Sequence, residues 1–472
     1  MNFQWNTSYL KLPSVFYALQ LPTPSPQPEG VLWNEALSHE LGVIPEDKRA
    51  CVQFLSGNGD YTHNPPFAQA YAGHQFGHFT MLGDGRALHL GEHISPQGER
   101  LDIQLKGAGK TAYSRGGDGR ATLRSMLREY LISEAMHGLG IATSRSLCVI
   151  KTGNEVLREK MHEGAVLTRT MKSHIRVGTF EYARYFCETS DLEALFQYTL
   201  NRLYPSLKSS SSPVEDLFME VMRIQIDTVC HWMRVGFIHG VMNTDNTSIS
   251  GETFDYGPCA FMNTYHPHTV FSSIDRHERY AFGKQPDILK WNLTRWLETL
   301  LPLLHSDEEK AVQKAQHMLS QFDALWEKQY RKVFLAKLGF ESIEPEYIVC
   351  ADAWLNLLES NALDYTLSYK HITYETEAYD KLTAVKGWSA WYMQWRKLSP
   401  DFSLMQRSNP TLIPRNHRVE EALDAAVHGD FSFWDQLLEA LQHPYQNVHI
   451  SAKLNLPPDL DFEQGYQTFC GT

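Results

Sequence analysis

His239-Gly240-Val241-Met242-Asn243-Thr244-Asp245-Asn246, continuing through Thr247-Ser248-Ile249 to Phe254-Asp255-Tyr256-Gly257, is the stretch on which the reading of the chain turns. A His-Gly pair opens a loop, an Asp-Asn pair follows within a few residues, and a second aspartate sits in an Asp-aromatic-Gly turn after a short hairpin. Carboxylate and amide oxygens gathered in this way suit a hard cation such as Mg²⁺, which takes one or two side-chain ligands and fills its shell with water and substrate phosphates. Asn246 and Asp255 stand where those ligands belong.

Protein kinases place such ligands on a catalytic-loop Asn and on the Asp of a following Asp-Phe-Gly turn. Laid over their His-Arg-Asp-x-x-x-x-Asn pattern, the loop matches at His239 and Asn246, but Val241 falls where the proton-accepting Asp belongs. Valine takes no proton, so a hydroxyl is activated here only if Asp245 serves as the base. The chain leading in has the same layout: Ser212, Pro213 and Gly236 bracket a helix running to about Val235, with Leu217, Val221 and Ile224 at core spacing. After Gly257 an irregular run to about Pro286, rich in Tyr, His and Phe, takes the place of an activation segment.

Upstream, Leu101 to Lys106 alternates as a strand, and Thr122 to His137 reads as a helix carrying Glu129 and closing at Gly138 as its C-cap. Most strand lysines are merely solvated, but a strand Lys held by a Glu of the next helix is how kinases grip nucleotide phosphates. Lys106 and Glu129 have that order. Glycines at Leu82-Gly83-Asp84-Gly85-Arg86 permit close approach of backbone amides to an anion, and Arg86 adds a fixed fork for phosphate. Alone, that turn is more often structural. Asp118-Gly119-Arg120 lies between Lys106 and the helix; Arg169 and Arg176 add positive charge near the same place. His74 and His78 have the spacing of metal ligands, with Gly77 between them and no acid following, so zinc is a minor reading. Ala142 to Leu157 reads as two strands joined by a turn at Thr152-Gly153-Asn154, and Gly164 to Thr170 as another strand.

The chain has 472 residues, enough for two lobes with their own cores. Its net charge of −12 argues against binding nucleic acid by phosphate neutralisation. Seven scattered cysteines without a Cys-x-x-Cys pair suggest neither zinc ribbon nor disulfide framework and fit a reducing cytoplasm. No run is long and apolar enough for a membrane helix, and the N-terminus lacks the basic and apolar regions of a signal peptide. The expected architecture is α+β and kinase-like. Residues 1–60 form an arm with alternating prolines, 61–185 an N-lobe, 186–290 a C-lobe with the catalytic loop, and 291–472 a helical C-terminal extension.

These blocks together resemble the selenoprotein O family of kinase-fold protein adenylyltransferases, whose bacterial members carry ordinary cysteine. The resemblance runs over nearly the whole chain. It rests on Tyr71-Ala-Gly-His-Gln-Phe-Gly, Leu82-Gly-Asp-Gly-Arg-Ala, Gln104-Leu-Lys-Gly-Ala-Gly, Ser114-Arg with Asp118-Gly-Arg-Ala, Ser173-His-Ile-Arg-Val-Gly-Thr-Phe-Glu, the loop from His239 to Asn246, and Asp255-Tyr-Gly-Pro. It implies ATP bound back to front relative to kinases, and transfer of AMP to Ser, Thr or Tyr hydroxyls of acceptor proteins with release of pyrophosphate. UTP is implied as a second donor, and Mg²⁺ or Mn²⁺ as the metal. By matching positions, Gly83, Gly85, Arg86, Lys106, Asp118, Gly119, Arg169, Arg176 and Asp255 bind nucleotide, Glu129 orients Lys106, Asn246 and Asp255 hold the metal, and Asp245 accepts the proton. The resemblance also implies a disulfide between a C-terminal Cys and one in the activation segment. Cys470 fits the first, but Ser272 stands at the second, with Cys259 the nearby thiol.

Two other readings of the residues stay open. An atypical protein kinase or small-molecule kinase is one, since His-Gly also opens the loop of aminoglycoside phosphotransferases, though Val241 replaces their Asp. A catalytically dead nucleotide binder is the other, against which stand Lys106, Glu129, Asn246 and Asp255 together.

Overall fold

The computed structural model describes residues 2–375, 380–446 and 452–469. In chain order its first strands are β1 (Tyr17–Leu19), β2 (Glu29–Trp33), β3 (Phe67–Gln69), β4 (Ala72–Gln75), β5 (His78–Met81), β6 (Ala87–Ile94), β7 (Arg100–Lys106), β8 (Ala121–Thr122), β9 (Arg145–Leu157) and β10 (Met161–Met171). All but β4 and β5 share one antiparallel sheet in the order β1-β3-β6-β7-β10-β9-β2, with β8 also on β10. β4 and β5 form a separate hairpin. The proline stretch between β1 and β2 runs across the sheet, tied by Thr23 N–H to Ala108 O (2.8 Å) and Gln27 N–H to Thr152 O (3.1 Å), so the first residues supply both sheet edges.

The period-two alternation of β7 sets the site. Ile103 and Leu105 enter an apolar cluster with Leu37, Leu41, Leu88, Leu90 and Val166, which turns Asp102, Gln104 and Lys106 to the opposite face. Across the ladder Arg169 pairs with Gln104 and Leu167 with Lys106, so Arg169 and Lys106 stand on that same face.

The helices used below are α1 (Glu35–Leu41), α2 (Lys48–Gln53), α3 (Leu123–Gly138), α4 (Val177–Phe186), α5 (Thr189–Leu203), α6 (Pro213–Arg234) and α7 (Gln285–Leu304). Thr122 caps α3, its hydroxyl accepting from Ser125 N–H at 3.2 Å. α6 starts with Pro213 at its first turn and ends before Gly236, whose φ is +75°. It feeds strand β11 (Phe237–Ile238), which pairs with β12 (Ala260–Phe261) and so draws the catalytic loop and the Asp255 turn together at their bases. Further helices, from Glu308–Leu319 to Leu460–Gly465, close the C-terminal half around the buried rings of Trp296, Trp354, Trp395 and Trp434. The large sheet is built from the first half of the chain and the last third is helical, an α+β arrangement. No described helix is long and apolar enough to cross a membrane.

Two sequence expectations are corrected. Thr152-Gly153-Asn154 makes no hairpin: β9 continues through it, and Gly153 (φ +75°) is needed because a Cβ there would lie 2.6 Å from that of Gln27. The N-terminal stretch crossing at that point replaces the turn. α3 does not end on Gly138 as a cap. Gly140 (φ +71°) is the left-handed residue, with Gly140 N–H on His137 O and Ile141 N–H on Met136 O. Gly138 is small for another reason, since a Cβ there would meet Leu441 O at 2.2 Å.

Candidate functional site

Lys106, at the end of β7, is buried, and its ammonium donates to Glu129 Oε2 on α3 and to Asp255 Oδ1 in the turn after the catalytic loop. The other Glu129 oxygen accepts from Arg169 Nη1 at 2.6 Å, and Arg169 Nε donates to Gln104 Oε1 at 2.8 Å. Two cations thus face two carboxylates in a buried cluster, and the pairing sets the charges. Burial opposes ionisation of Glu129, but Lys106 and Arg169 outweigh it and hold its carboxyl below the usual range. Asp255 is held far lower still, with Lys106, Arg169 and Arg86 overcoming its burial penalty. Its backbone is left-handed (φ +67°), which turns the carboxylate back to the cleft, and its side chain keeps 34% exposure, enough to meet a ligand there.

A cavity of about 660 Å³ opens in front of this cluster, in the size range of nucleotide and cofactor sites. Gly83, Gly85, Arg86, Asp118, Gly119, Asp245, Asn246 and Asp255 all line it, and so does Val241. Lys106 and Glu129 line a second cavity of about 960 Å³, which shares Arg86, Arg158 and Gly257 with the first. Arg169 and Arg176 line neither and reach the cleft through their partners.

The glycines earn their places by close packing. At Gly83 (φ +134°) a Cβ would overlap the Tyr113 ring, and at Gly119 (φ +68°) it would lie 2.1 Å from Gly109 O. The loop holding Tyr113 is further tied down by the Thr111 hydroxyl on Asp84 O at 2.6 Å. Asp118 is bound by Arg158 at 2.9 Å, a hydrogen bond that also keeps its carboxyl low. Arg86 Nη1 is buried with no hydrogen-bond partner among the described residues, a donor suited to an anionic group.

Arg176 precedes α4, and its guanidinium lies between the rings of Tyr71 (4.2 Å) and Phe254 (4.8 Å). It donates to Asp245 O at 3.2 Å and His174 O at 3.1 Å, while Nη2 makes no hydrogen bond and lies 3.8 Å from Asp84 Oδ1 as an ion pair. Asp245 is buried in a short 3₁₀ turn, Thr244–Asn246, and Oδ1 has no hydrogen-bond partner. Burial pushes its carboxyl up to about 6. Asn246 Nδ2 donates to Val241 O at 3.0 Å, which leaves its amide oxygen as the free end. With the partly exposed Asp255 carboxylate this makes an all-oxygen donor set, the kind a hard divalent cation accepts.

His74 is no zinc ligand partner of His78: its Nδ1 meets Glu181 at 2.6 Å, while His78 lies exposed on β5. The fully buried Glu181 also accepts from the Thr244 hydroxyl at 2.6 Å, joining the β4–β5 hairpin to the catalytic loop. A His89–Asp102–His174 cluster lies deeper in the N-lobe, but Arg202 sits on Asp102 at 2.5 Å and fills the role of a cation there. Ser272 is buried and β-bridged to Thr468, so the chain leading to Cys470 runs beside it; Cys470 itself lies outside the described residues. Sequence reading missed Tyr71, Phe254, Arg158 and Glu181, whose partners are distant along the chain.

A model of the family described as protein adenylyltransferase SelO matches residues 1–442. The chain belongs to this family. Within it, the chain is 49% identical to the protein nucleotidyltransferase YdiU of Alkaliphilus metalliredigens, across 99% of this chain and 98% of that one. It is 48% identical to the YdiU of Anoxybacillus flavithermus over the full length of both. Among solved structures, ROP2 from Toxoplasma gondii, a virulence factor with a protein-kinase fold, covers 85% of this chain and 95% of its own. The two superpose with a TM-score of 0.25 at 10% identity.

Proposed function

We propose that this SelO-family enzyme moves AMP from ATP to Ser, Thr or Tyr hydroxyls of acceptor proteins and releases pyrophosphate. The observation that carries the reading is the pair of positions Val241 and Asp245. The kinase base is absent, while a buried carboxylate with a partnerless oxygen faces the cleft from four residues farther on. In this reading the α-phosphorus, rather than the γ-phosphorus of the usual kinase pose, is the one set beside Asp245.

The nucleotide then lies with its terminal phosphates inward, toward Lys106, Arg86, Arg169 and Arg176, and its α-phosphorus outward. The acceptor oxygen forms a bond to that phosphorus, the bond to the β-phosphate bridging oxygen breaks, and the hydroxyl proton passes to Asp245. Pyrophosphate leaves with its charge spread over the inner cations. Asn246 and Asp255 are the residues to hold Mg²⁺ or Mn²⁺, which when bound neutralises phosphate charge. Lys106 must then yield Asp255 and turn to phosphate, while Glu129 keeps it in place. Asp118 and Gly119 shape the wall of the nucleotide's outer end, and Gly83 and Gly85 the turn above it. UTP serves as a second donor on the same phosphate contacts. The partners are acceptor proteins, and neither nucleic acid nor membrane is required. The cytoplasm is the proposed compartment, which suits six described cysteines that are all unpaired.

ATP labelled on the α-phosphate, and separately on the γ-phosphate, tests this with a generic acceptor protein and Mg²⁺ or Mn²⁺. Protein label from the α position alone is expected. Label from the γ position alone means a kinase, and label from neither means a binder.

A further inference from the structure

The β4–β5 hairpin joins the catalytic base to an unusual piece of surface. At its inner end Gly73 packs on Asp245 so closely that a Cβ would lie 2.7 Å from Oδ1. At its turn, Phe76 N–H (3.2 Å) and the Tyr280 hydroxyl (2.5 Å) both donate to Asn243 Oδ1, two residues before Asp245. Its outer strand β5 pairs only with β4 among the described residues, which leaves one edge of backbone donors and acceptors open. Phe79 and Met81 on that strand are 40% and 47% exposed. Phe79 stacks against Phe186 (5.9 Å) and meets Tyr185 edge-on (5.3 Å), and these two rings at the end of α4 are themselves 47% and 50% exposed. A short edge strand bearing exposed rings is a template for another strand, and proteins blunt such edges unless they use them.

The charge beside this edge has a sign. Arg279 lies next to the hairpin turn at Gly77, with its guanidinium over the Trp291 ring at 4.7 Å. It forms no ion pair with a carboxylate among the described residues, and neither does Arg184 beside Tyr185. Arg115, Arg276 and Arg407 also lack an ion pair among the described residues; Arg279 and Arg184 are the two such guanidiniums that stand beside this edge.

We infer that the open edge of β5, with Phe79, Phe186 and Arg279, is the docking surface for the acceptor polypeptide. The occupant is an extended segment that adds a strand to β5, sets an apolar side chain on the Phe79–Phe186 pair and an acidic one on Arg279, and so brings its hydroxyl to Asp245. The inference rests on the adenylyl-transfer reading, in which Asp245, packed against Gly73 of this hairpin, is the base.

The test uses the full chain, α-labelled ATP and two synthetic peptides. Each has one central tyrosine and a leucine two residues away; one is flanked by glutamates, the other by lysines. The wild type is expected to modify the glutamate peptide with at least tenfold higher kcat/KM. Phe79→Asp raises the KM for that peptide at least tenfold while the Kd for ATP stays unchanged, and Arg279→Glu reverses the peptide preference. Equal use of both peptides, no use of either by an enzyme that labels proteins, or an unchanged preference in Arg279→Glu overturns the docking surface and leaves adenylyl transfer standing. A Phe79→Asp change from dimer to monomer with KM unchanged makes the edge a contact between two copies and also overturns it. Absence of α-label from every protein defeats the adenylyl-transfer reading first, and the docking surface with it.

Discussion

Replacing Asp245 by Asn separates what this residue costs the fold from what it does for the reaction. An aspartate is ordinarily half-protonated near 3.8, and burial moves Asp245 up to about 6 in the folded chain. The folded state therefore resists its ionisation, and the sign follows: the cost is absent below the unfolded value, grows as pH rises, and is complete above the folded value. From the two values the cost is about 3 kcal/mol at pH 7.5 and about 1 kcal/mol at pH 4.5, at ~1.4 kcal/mol per pH unit of displacement. Asparagine removes the charge and leaves an amide needing a partner beside the unpaired Oδ1 position, which returns about 1 kcal/mol of the gain. Thermal unfolding followed by tryptophan fluorescence, with EDTA and without nucleotide, should show Asp245→Asn melting about 2 °C above wild type at pH 7.5, at ~2.1 cal/mol/K of unfolding entropy per residue. The gain should largely vanish at pH 4.5. The same variant should slow transfer by about 10²- to 10⁴-fold at unchanged ATP affinity, the usual loss of a positioned base. A variant less stable than wild type at pH 7.5, a gain equal at both pH values, or undiminished turnover would refute the reasoning.

Other perturbations test the neighbouring parts. Glu129→Gln leaves Lys106 and Arg169 sharing Asp255 alone in a buried place, and should lower stability by about 3 kcal/mol and weaken ATP binding; differential denaturation and calorimetric titration check both. Gly73→Ala puts a methyl 2.7 Å from Asp245 Oδ1, so transfer should fall at least tenfold while ATP affinity holds; a proportional loss of both would place the glycine elsewhere in the reaction. Asp255→Ala should abolish transfer together with Mn²⁺ binding measured by electron paramagnetic resonance, and retained Mn²⁺ affinity would remove Asp255 from the ligand set.

What the sequence made legible was local or alternating. β7 reads as a strand from its period of two, and that period alone puts Lys106 opposite the Ile103 and Leu105 face, ready for Glu129 on the next helix. Asn246 and Asp255 could be placed because α6 and the loop after it follow in unbroken order. What stayed hidden depends on contacts between distant segments. Tyr71 and Phe254 enclose Arg176 from positions far up and down the chain, and no spacing rule links the three. Glu181 shows as one more helical acid until His74 and Thr244 arrive on either side of it. Gly153 and Gly138 misled for a related reason: each was read as punctuation of its own segment, whereas each makes room for another part of the chain, Gln27 in one case and Leu441 in the other.

The orientation of the nucleotide is the claim from which the rest descends, and a crystal structure with a non-hydrolysable ATP analogue and Mg²⁺ measures it directly. The terminal phosphate should lie inward beside Lys106 and Arg86, with the base at the outer wall near Asp118 and Gly119 and the α-phosphorus within reach of a hydroxyl held by Asp245. A base seated deep between the lobes, with the terminal phosphate turned out to the acceptor, would contradict it.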